Sequence, residues 1–135
     1  ITIVVLGVIA AIAYPSFIGQ IEKARRSDAK QALFDVAAKL EQYYQDNKGY
    51  SSTVDGDDIT VLGYDANPFN SLEGHYNISF ISSSATAYSI QAVPTGAQAD
   101  DAGCAAGKSC CGTFQLNHLG QKTVTGATLS ADRCW

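Results

Sequence analysis

The chain has 135 residues, 46% of them apolar and 16% charged, with a net charge of −4. That bounds it to one domain plus an N-terminal segment. Residues 1–48 hold six basic and five acidic groups, whereas residues 49–135 hold three and eight, so the C-terminal part is an acidic head poorly matched to a nucleic-acid backbone.

The first fourteen residues, ITIVVLGVIAAIAY, carry no charge. Such a run is short for a bilayer span, which takes about 20 residues; Phe17, Ile18 and Ile21 extend the apolar character to roughly 21 residues. The chain opens at Ile1 without Met and without the charged n-region of a signal peptide, so residues upstream are expected. Gly7 is tolerated in a membrane helix, and Pro15 allows a kink or a local opening.

From Ser16 the pattern becomes amphipathic. Ile18, Ile21, Ala29, Ala32, Leu33, Val36, Ala37, Leu40 and Tyr44 recur at spacings of three and four, which predicts one apolar helix face. Glu22, Arg26, Lys30, Lys39 and Gln42 fall largely elsewhere, and Phe34 stands off the stripe. Lys23, Arg25, Arg26 and Lys30 form a basic cluster, expected as a solvated helix face open to lipid headgroups or acidic neighbours. Asn47-Lys48-Gly49 predicts the stop, with Gly49 as the left-handed residue. One helix over 1–48 is about 72 Å long, too long for the head to cover.

Residues 50–72 predict a connecting region, with a short strand at Ile59–Leu62. Val54-Asp55-Gly56-Asp57-Asp58 lacks the full calcium loop and its closing Glu, and predicts an acidic turn. Alternation then predicts strands through Tyr76, Ile78 and Phe80, through Tyr88, Ile90 and Ala92, through Phe114 and Leu116, and at 122–125. The expected fold class is α+β: a long N-terminal helix packed on an antiparallel sheet of three or four strands, with a disulfide-bounded tail. The expected division is a hydrophobic helix over 1–24 and a head over 25–135, the latter made of helix 25–48, connection 49–74 and sheet with disulfide region 75–135.

Cys104, Cys110, Cys111 and Cys134 all lie in the last 32 residues, which points to disulfides and an oxidising compartment. A bond between adjacent Cys110 and Cys111 strains disulfide geometry. Cys111–Cys134 with Cys104–Cys110 is favoured; Cys104–Cys111 with Cys110–Cys134 stays open. No CxxC knuckle supports a metal site. His75 and His118 are the only histidines, and no GxSxG, P-loop or dinucleotide fingerprint is present. Neither catalysis nor a cofactor is expected.

The run VVLGVIAAIAYPSF resembles the N-terminal helix of type IV pilins and pseudopilins. The following IEKARRSDAKQALFDVAAKLEQYYQDNKGY, with Tyr43 and Tyr44 paired, is similar to PilE-like minor pilins of Gram-negative type IV pili, as are CGTFQLNHLGQKTVTG and the terminal CW. The match places Ile1 about seven residues past the family's cleavage point, so its methylated Phe and its Glu would lie upstream. The resemblance implies the type IV pilin fold and a structural, minor pilin supporting adhesion, twitching motility or biofilm formation. Ile1, Val5, Gly7, Val8, Ile12, Tyr14, Pro15 and Phe17 would serve as transmembrane anchor and then filament core, with Pro15 as the flexible point. Cys111 and Cys134 would bound the C-terminal loop. Implied partners are other pilins, the inner-membrane assembly machinery and, before assembly, the lipid bilayer. The implied location is the inner membrane with a periplasmic head, then the extracellular pilus. The alternatives are a major pilin, a type II secretion pseudopilin, whose major member uses calcium where pilins use a disulfide, or a DNA-uptake pilin. The acidic head offers little support for the last.

Overall fold

The computed structural model describes residues 2–50, 58–101 and 110–135, apart from the side chains at 2, 10–16 and 18. Helix α1 (Thr2–Asn47) runs the length of the N-terminal segment, and its helical backbone continues through Pro15. A 3-10 turn (Ile59–Leu62) leads to strands β1 (Phe69–Asn70), β2 (Tyr76–Ser83) and β3 (Tyr88–Pro94). A second 3-10 helix (Gly96–Asp101), β4 (Thr113–Asn117), β5 (Lys122–Thr125) and the single turn α2 (Ala131–Cys134) complete the order. The strands form one antiparallel sheet in sequence order, β1-β2-β3-β4-β5.

One face of the sheet is covered by α1, and the periodicities explain why. Ala29, Leu33, Val36 and Leu40 are fully buried, at helical spacings of four, three and four. They meet the alternate residues Tyr76, Ile78 and Phe80 of β2, Tyr88, Ile90 and Ala92 of β3, and Phe114 and Leu116 of β4. Registration aligns these rows: Ile78 faces Ala92, Phe80 faces Ile90, Ile90 faces Leu116 and Ala92 faces Phe114. Each large side chain so buried contributes about 1.5–3 kcal/mol. A bulge between Phe80 and Ser82 leaves Ile81 unpaired and turned to solvent, and Ser82, which strict alternation would turn inward, is exposed as well.

Two acidic groups tie the flanks of the sheet to α1. The Arg26 guanidinium donates from Nε to Asp101 Oδ2 at 3.0 Å and from Nη2 to Asp101 Oδ1 at 2.9 Å, with both side chains buried. Asp101 also accepts from Gln98 Nε2 at 3.2 Å and from the Cys111 N–H at 3.2 Å. Two residues along the helix, Asp28 accepts from the Ser71 hydroxyl and from the N–H groups of Glu73 and His75. The basic cluster is therefore not uniformly a solvated face. Arg26 is buried because Asp101, distant in sequence, supplies a bidentate partner.

Three further expectations are corrected. Ile59–Leu62 is a 3-10 turn and not a strand: the Asp58 carboxylate accepts from Thr60 N–H at 3.0 Å, Gly63 closes it at φ 85°, and Ile59 is buried. The sheet has five strands, because the two-residue β1 pairs with β2 inside the expected connecting region, too short to show any alternation. Lys48, and not Gly49, takes the left-handed position (φ 59°), its N–H bonded to Tyr44 O. Gly49 is buried against Ala85, whose backbone a Cβ there would meet at 3.4 Å, van der Waals contact. Of the acidic turn expected at residues 54–58, residues 54–57 lie outside the described residues, and Asp58 caps the 3-10 turn.

Replacing Arg26 with Met strands the Asp101 carboxylate in a buried site. The expected loss is about 3–5 kcal/mol, read by urea unfolding with disulfides intact, and much of it returns in the Arg26→Met/Asp101→Leu double variant.

Burial, with Glu41 and Tyr50 adding to it, pushes the Tyr88 phenol up to about 12. Burial raises Tyr64 and Tyr76 in the same direction. The folded chain holds these protons more tightly than the unfolded chain, whose tyrosines titrate near about 10. Their contribution is thus fully present below about pH 10 and is lost as the pH rises toward 12. Circular dichroism and phenolate absorbance followed together should show one alkaline transition in that window; Tyr88→Phe should move it upward.

Candidate assembly surface

The N-terminal part of α1 projects as an arm with its apolar side chains in solvent. Ile3, Val4, Val5, Leu6, Val8, Ile9 and Phe17 are all more than half exposed, from 53% at Val5 to 82% at Ile3. A Cβ added at Gly7 or Gly19 would meet nothing within 4 Å. Half-burial begins at Ile21 and Glu22, and Arg26 is the first buried side chain along α1 among those described. Contiguous exposed hydrocarbon of this kind marks an interaction surface. Val5, Gly7, Val8 and Phe17 thus share one exposed arm. Ile1 and the side chains of Ile12, Tyr14 and Pro15 lie outside the described residues.

The transmembrane expectation is corrected. Among the described residues, no helix is long and apolar enough to cross a membrane. The nearly continuous apolar run stops at Tyr14, short of the length a span needs, and Ser16, Gln20, Glu22 and Lys23 then make the helix polar.

At the other end of the chain, Cys111 is bonded to Cys134, with Cα atoms 5.5 Å apart. The bridge ties α2 to the residues that lead into β4. Cys110 is also disulfide-bonded, and Cys104 lies outside the described residues. Gly112 follows the bridge at φ 61°, and a Cβ there would come within 2.1 Å of Thr125 O, so only glycine fits between β4 and β5. The bridge delivers Trp135 to the flank of α1. Its ring meets Phe114 at 5.5 Å and Phe34 at 5.9 Å, both edge-on. Its indole N–H donates to Thr123 O at 3.0 Å, and its carbonyl oxygen accepts from Lys30 Nζ at 2.8 Å. Phe34, off the predicted stripe, is thus a half-exposed ring against Trp135.

A groove of 940 Å³ runs between α1 and residues 63–72, lined among others by Asp28, Gln31, Phe34, Tyr64, Phe69 and Leu72. Tyr64 stacks on Phe69 at 3.8 Å, donates its hydroxyl proton to Asp35, and lies 3.8 Å below Lys39 Nζ. These polar groups satisfy one another. His75 sits 3.8 Å from Glu73, while His118 rests edge-on against Tyr88, so the two histidines occupy separate places. Among the described residues, no cluster of three or more His, Cys, Asp or Glu could hold a metal ion.

The polar anchors were missed by periodicity. Arg26 and Asp28 are charged residues beside an apolar stripe, and the only sequence signal for their burial is that they adjoin Ala29 on the face that meets the sheet.

Residues 15–115 match the family model described as "Type IV minor pilin ComP, DNA uptake sequence receptor". The type II secretion system core protein G of Pectobacterium carotovorum subsp. carotovorum is 38% identical over 56 residues, 42% of this chain and 36% of that protein. The matched stretch thus spans little more than a third of that relative. Among solved structures, the non-core minor pilin PilV of Neisseria meningitidis is similar at a TM-score of 0.58 and 19% identity, covering 84% of this chain and 95% of that one. A type IV pilin of Shewanella oneidensis is similar at a TM-score of 0.51 and 28% identity, covering 84% and 97%. An exposed apolar arm, a helix laid on an antiparallel meander, a disulfide-closed C-terminus and a family match over most of the length lead to one assignment: the chain belongs to the type IV minor pilin family.

Proposed function

We propose that the chain is a PilE-like minor pilin, a structural subunit that enters or initiates a type IV pilus by packing its α1 arm among the arms of neighbouring pilins. The observation that carries this reading is the arm itself. Seven described apolar side chains there are exposed, while the head beside it buries its own stripe fully. Covering such surface yields about 25 cal/mol per Å², and in this reading neighbouring arms, or lipid before assembly, supply the cover. Gly7, without a side chain, permits close backbone approach between helices. In this reading the chain works with the inner-membrane assembly machinery. It is associated with the inner membrane, head in the periplasm, before assembly, and is extracellular afterwards. It supports adhesion, twitching motility or biofilm formation. Cys111–Cys134 limits unfolding of the displayed head.

A second reading, contact with DNA, is favoured by the description of the matching family as a DNA uptake sequence receptor. The head's net acidity opposes it globally, so any contact must rest on a local concentration of positive charge.

The Val8→Asp variant tests the first reading. Val8 is exposed, so the head should keep its stability within about 0.5 kcal/mol. Incorporation into sheared pili of the native host should fall at least about tenfold, because a charge buried among apolar helices is strongly opposed. Undiminished incorporation would refute arm packing.

A further inference from the structure

The C-terminal end of α1 carries a group of rings around Tyr44 and Tyr50. Their centroids stand 4.7 Å apart, with the planes 32° from parallel. Tyr50 in turn meets the buried Tyr88 edge-on at 4.9 Å. Among the described residues, these are the ring contacts that join two phenols. The other partly exposed ring group, Phe34 against Trp135 with Lys122 Nζ 5.2 Å from the Phe34 centroid, contains no phenol. On a continuous helix, residues six apart would be separated by about 9 Å along the axis. The turn closes that gap. Lys48 takes the left-handed conformation at φ 59°, its N–H stays bonded to Tyr44 O at 2.8 Å, and Gly49 is buried against Ala85. The chain folds back and lays the Tyr50 ring on Tyr44. The Tyr50 hydroxyl also has a proton acceptor in place: it donates to Glu41 Oε1 at 3.0 Å and stands 3.3 Å from Oε2. Glu41 is exposed, so a proton it receives passes on to water. Tyr44 is 36% exposed and Tyr50 half-buried, which leaves both rings open to solvent, whereas Tyr88 is only 5% exposed. Partial burial and then the Glu41 carboxylate raise the Tyr50 phenol above its ordinary range, so it stays neutral until an electron is removed.

We propose that Tyr44 and Tyr50 form a site of oxidative modification, at which a one-electron oxidant of the haem-peroxidase class, fed by hydrogen peroxide, joins the two rings as a dityrosine. Each phenol gives one electron to the oxidant and releases one proton, from Tyr50 to Glu41 and from Tyr44 to water. The two phenoxyl radicals form one carbon–carbon bond between the ring carbons beside the oxygens. Those carbons then lose their hydrogens as protons while the oxygens regain theirs, which restores both phenols. The chain loses two hydrogen atoms overall, and one hydrogen peroxide becomes two waters. An electron leaves a phenol more readily when the proton leaves with it, and Glu41 provides that path at Tyr50. The new bond ties the last turn of α1, where helices fray, to the segment that follows the helix stop. The proposal is independent of the filament reading.

Trypsin cuts after Lys48, between the two tyrosines, so residues 40–48 and 49–108 separate unless the rings are joined. The full chain, dilute and in detergent, is treated with a haem peroxidase and limiting hydrogen peroxide, reduced at its disulfides, digested and analysed by mass spectrometry. The two peptides should appear joined, lighter than their sum by two hydrogen atoms, with the fluorescence of a dityrosine. Tyr44→Phe and Tyr50→Phe each keep a ring but no phenol, and each should lower the yield at least about tenfold, because the reaction depends on two phenols held in contact. Tyr43→Phe should leave the yield intact. Glu41→Gln keeps an acceptor oxygen but not a base, and should slow the coupling roughly tenfold. Joined peptides that persist in Tyr44→Phe, or that are linked through Tyr43, overturn the pairing. Covalent dimers without joined peptides assign the chemistry to collisions between molecules and overturn it as well. An unchanged rate in Glu41→Gln overturns the proton path. In the joined chain the Lys48 amide, bonded to Tyr44 O, should exchange with deuterium at least about tenfold more slowly than in the untreated chain. Unchanged exchange overturns the tie across the helix stop.

Discussion

The buried pair of Arg26 and Asp101 holds the arm and head in one relationship. Arg26 lies where α1 stops being an arm and becomes the cover of the sheet. Asp101 ends the 3-10 helix after β3, and its carboxylate also receives the Cys111 N–H at the entrance to β4. One carboxylate therefore joins the helix, the segment leaving β3 and the residue that carries the disulfide. Gln98 extends the network by donating to the Tyr76 hydroxyl and to the Glu22 carbonyl oxygen, so β2 and the preceding turn of α1 are included. Buried ion pairs add little net stability over apolar replacements, but removal of one partner is costly. Such a pair fixes which arrangement is adopted more than how stable it is.

Asp28 performs the matching task on the β1 side. Arg26 and Asp28, two residues apart, diverge around the apolar stripe and tie down opposite flanks of the meander. The stripe itself is nondirectional: Leu33, Val36 and Leu40 would accept small rotations or slides of the sheet at modest cost. The two polar anchors remove that freedom. The consequence reaches the surface, because the same setting places Lys30 against Trp135 and brings Lys122 beside Phe34.

The α+β class, the stripe from Ala29 to Leu40 and the strands through Tyr76–Phe80, Tyr88–Ala92 and Phe114–Leu116 were legible because each is a local periodicity long enough to count, whereas Tyr44, expected on the same stripe, is exposed. The features that escaped prediction depend on partners remote in sequence or on elements too short for a period. Arg26 is buried by Asp101, 75 residues away. β1 has only two residues and exists because Tyr76–Ser83 offers it an edge. Ile59–Leu62 has strand-like composition, but Asp58 and Gly63 cap it as a turn. The helix stop was placed within a residue, yet the left-handed position falls at Lys48 and not at Gly49. At the assembly surface, the exposure of Val5, Val8 and Phe17 followed from the uncharged run, whereas the lysine and ring cluster required β5 and the C-terminus to be folded back onto α1.

An open five-stranded sheet has two edges, and each is blunted. β1 is too short to template a further strand. β5 carries Lys122 at one end, and the Thr123 carbonyl is occupied by the Trp135 indole. Heads with such edges have little tendency to add to one another strand by strand. For a subunit of the proposed kind this matters, since a long exposed arm and an exposed sheet edge on one molecule would be competing modes of association. Closing the edges leaves the arm as the dominant apolar surface. The bridge between Cys111 and Cys134, by delivering Trp135 to β5, then bears on how the protein associates as well as on how stably its head folds.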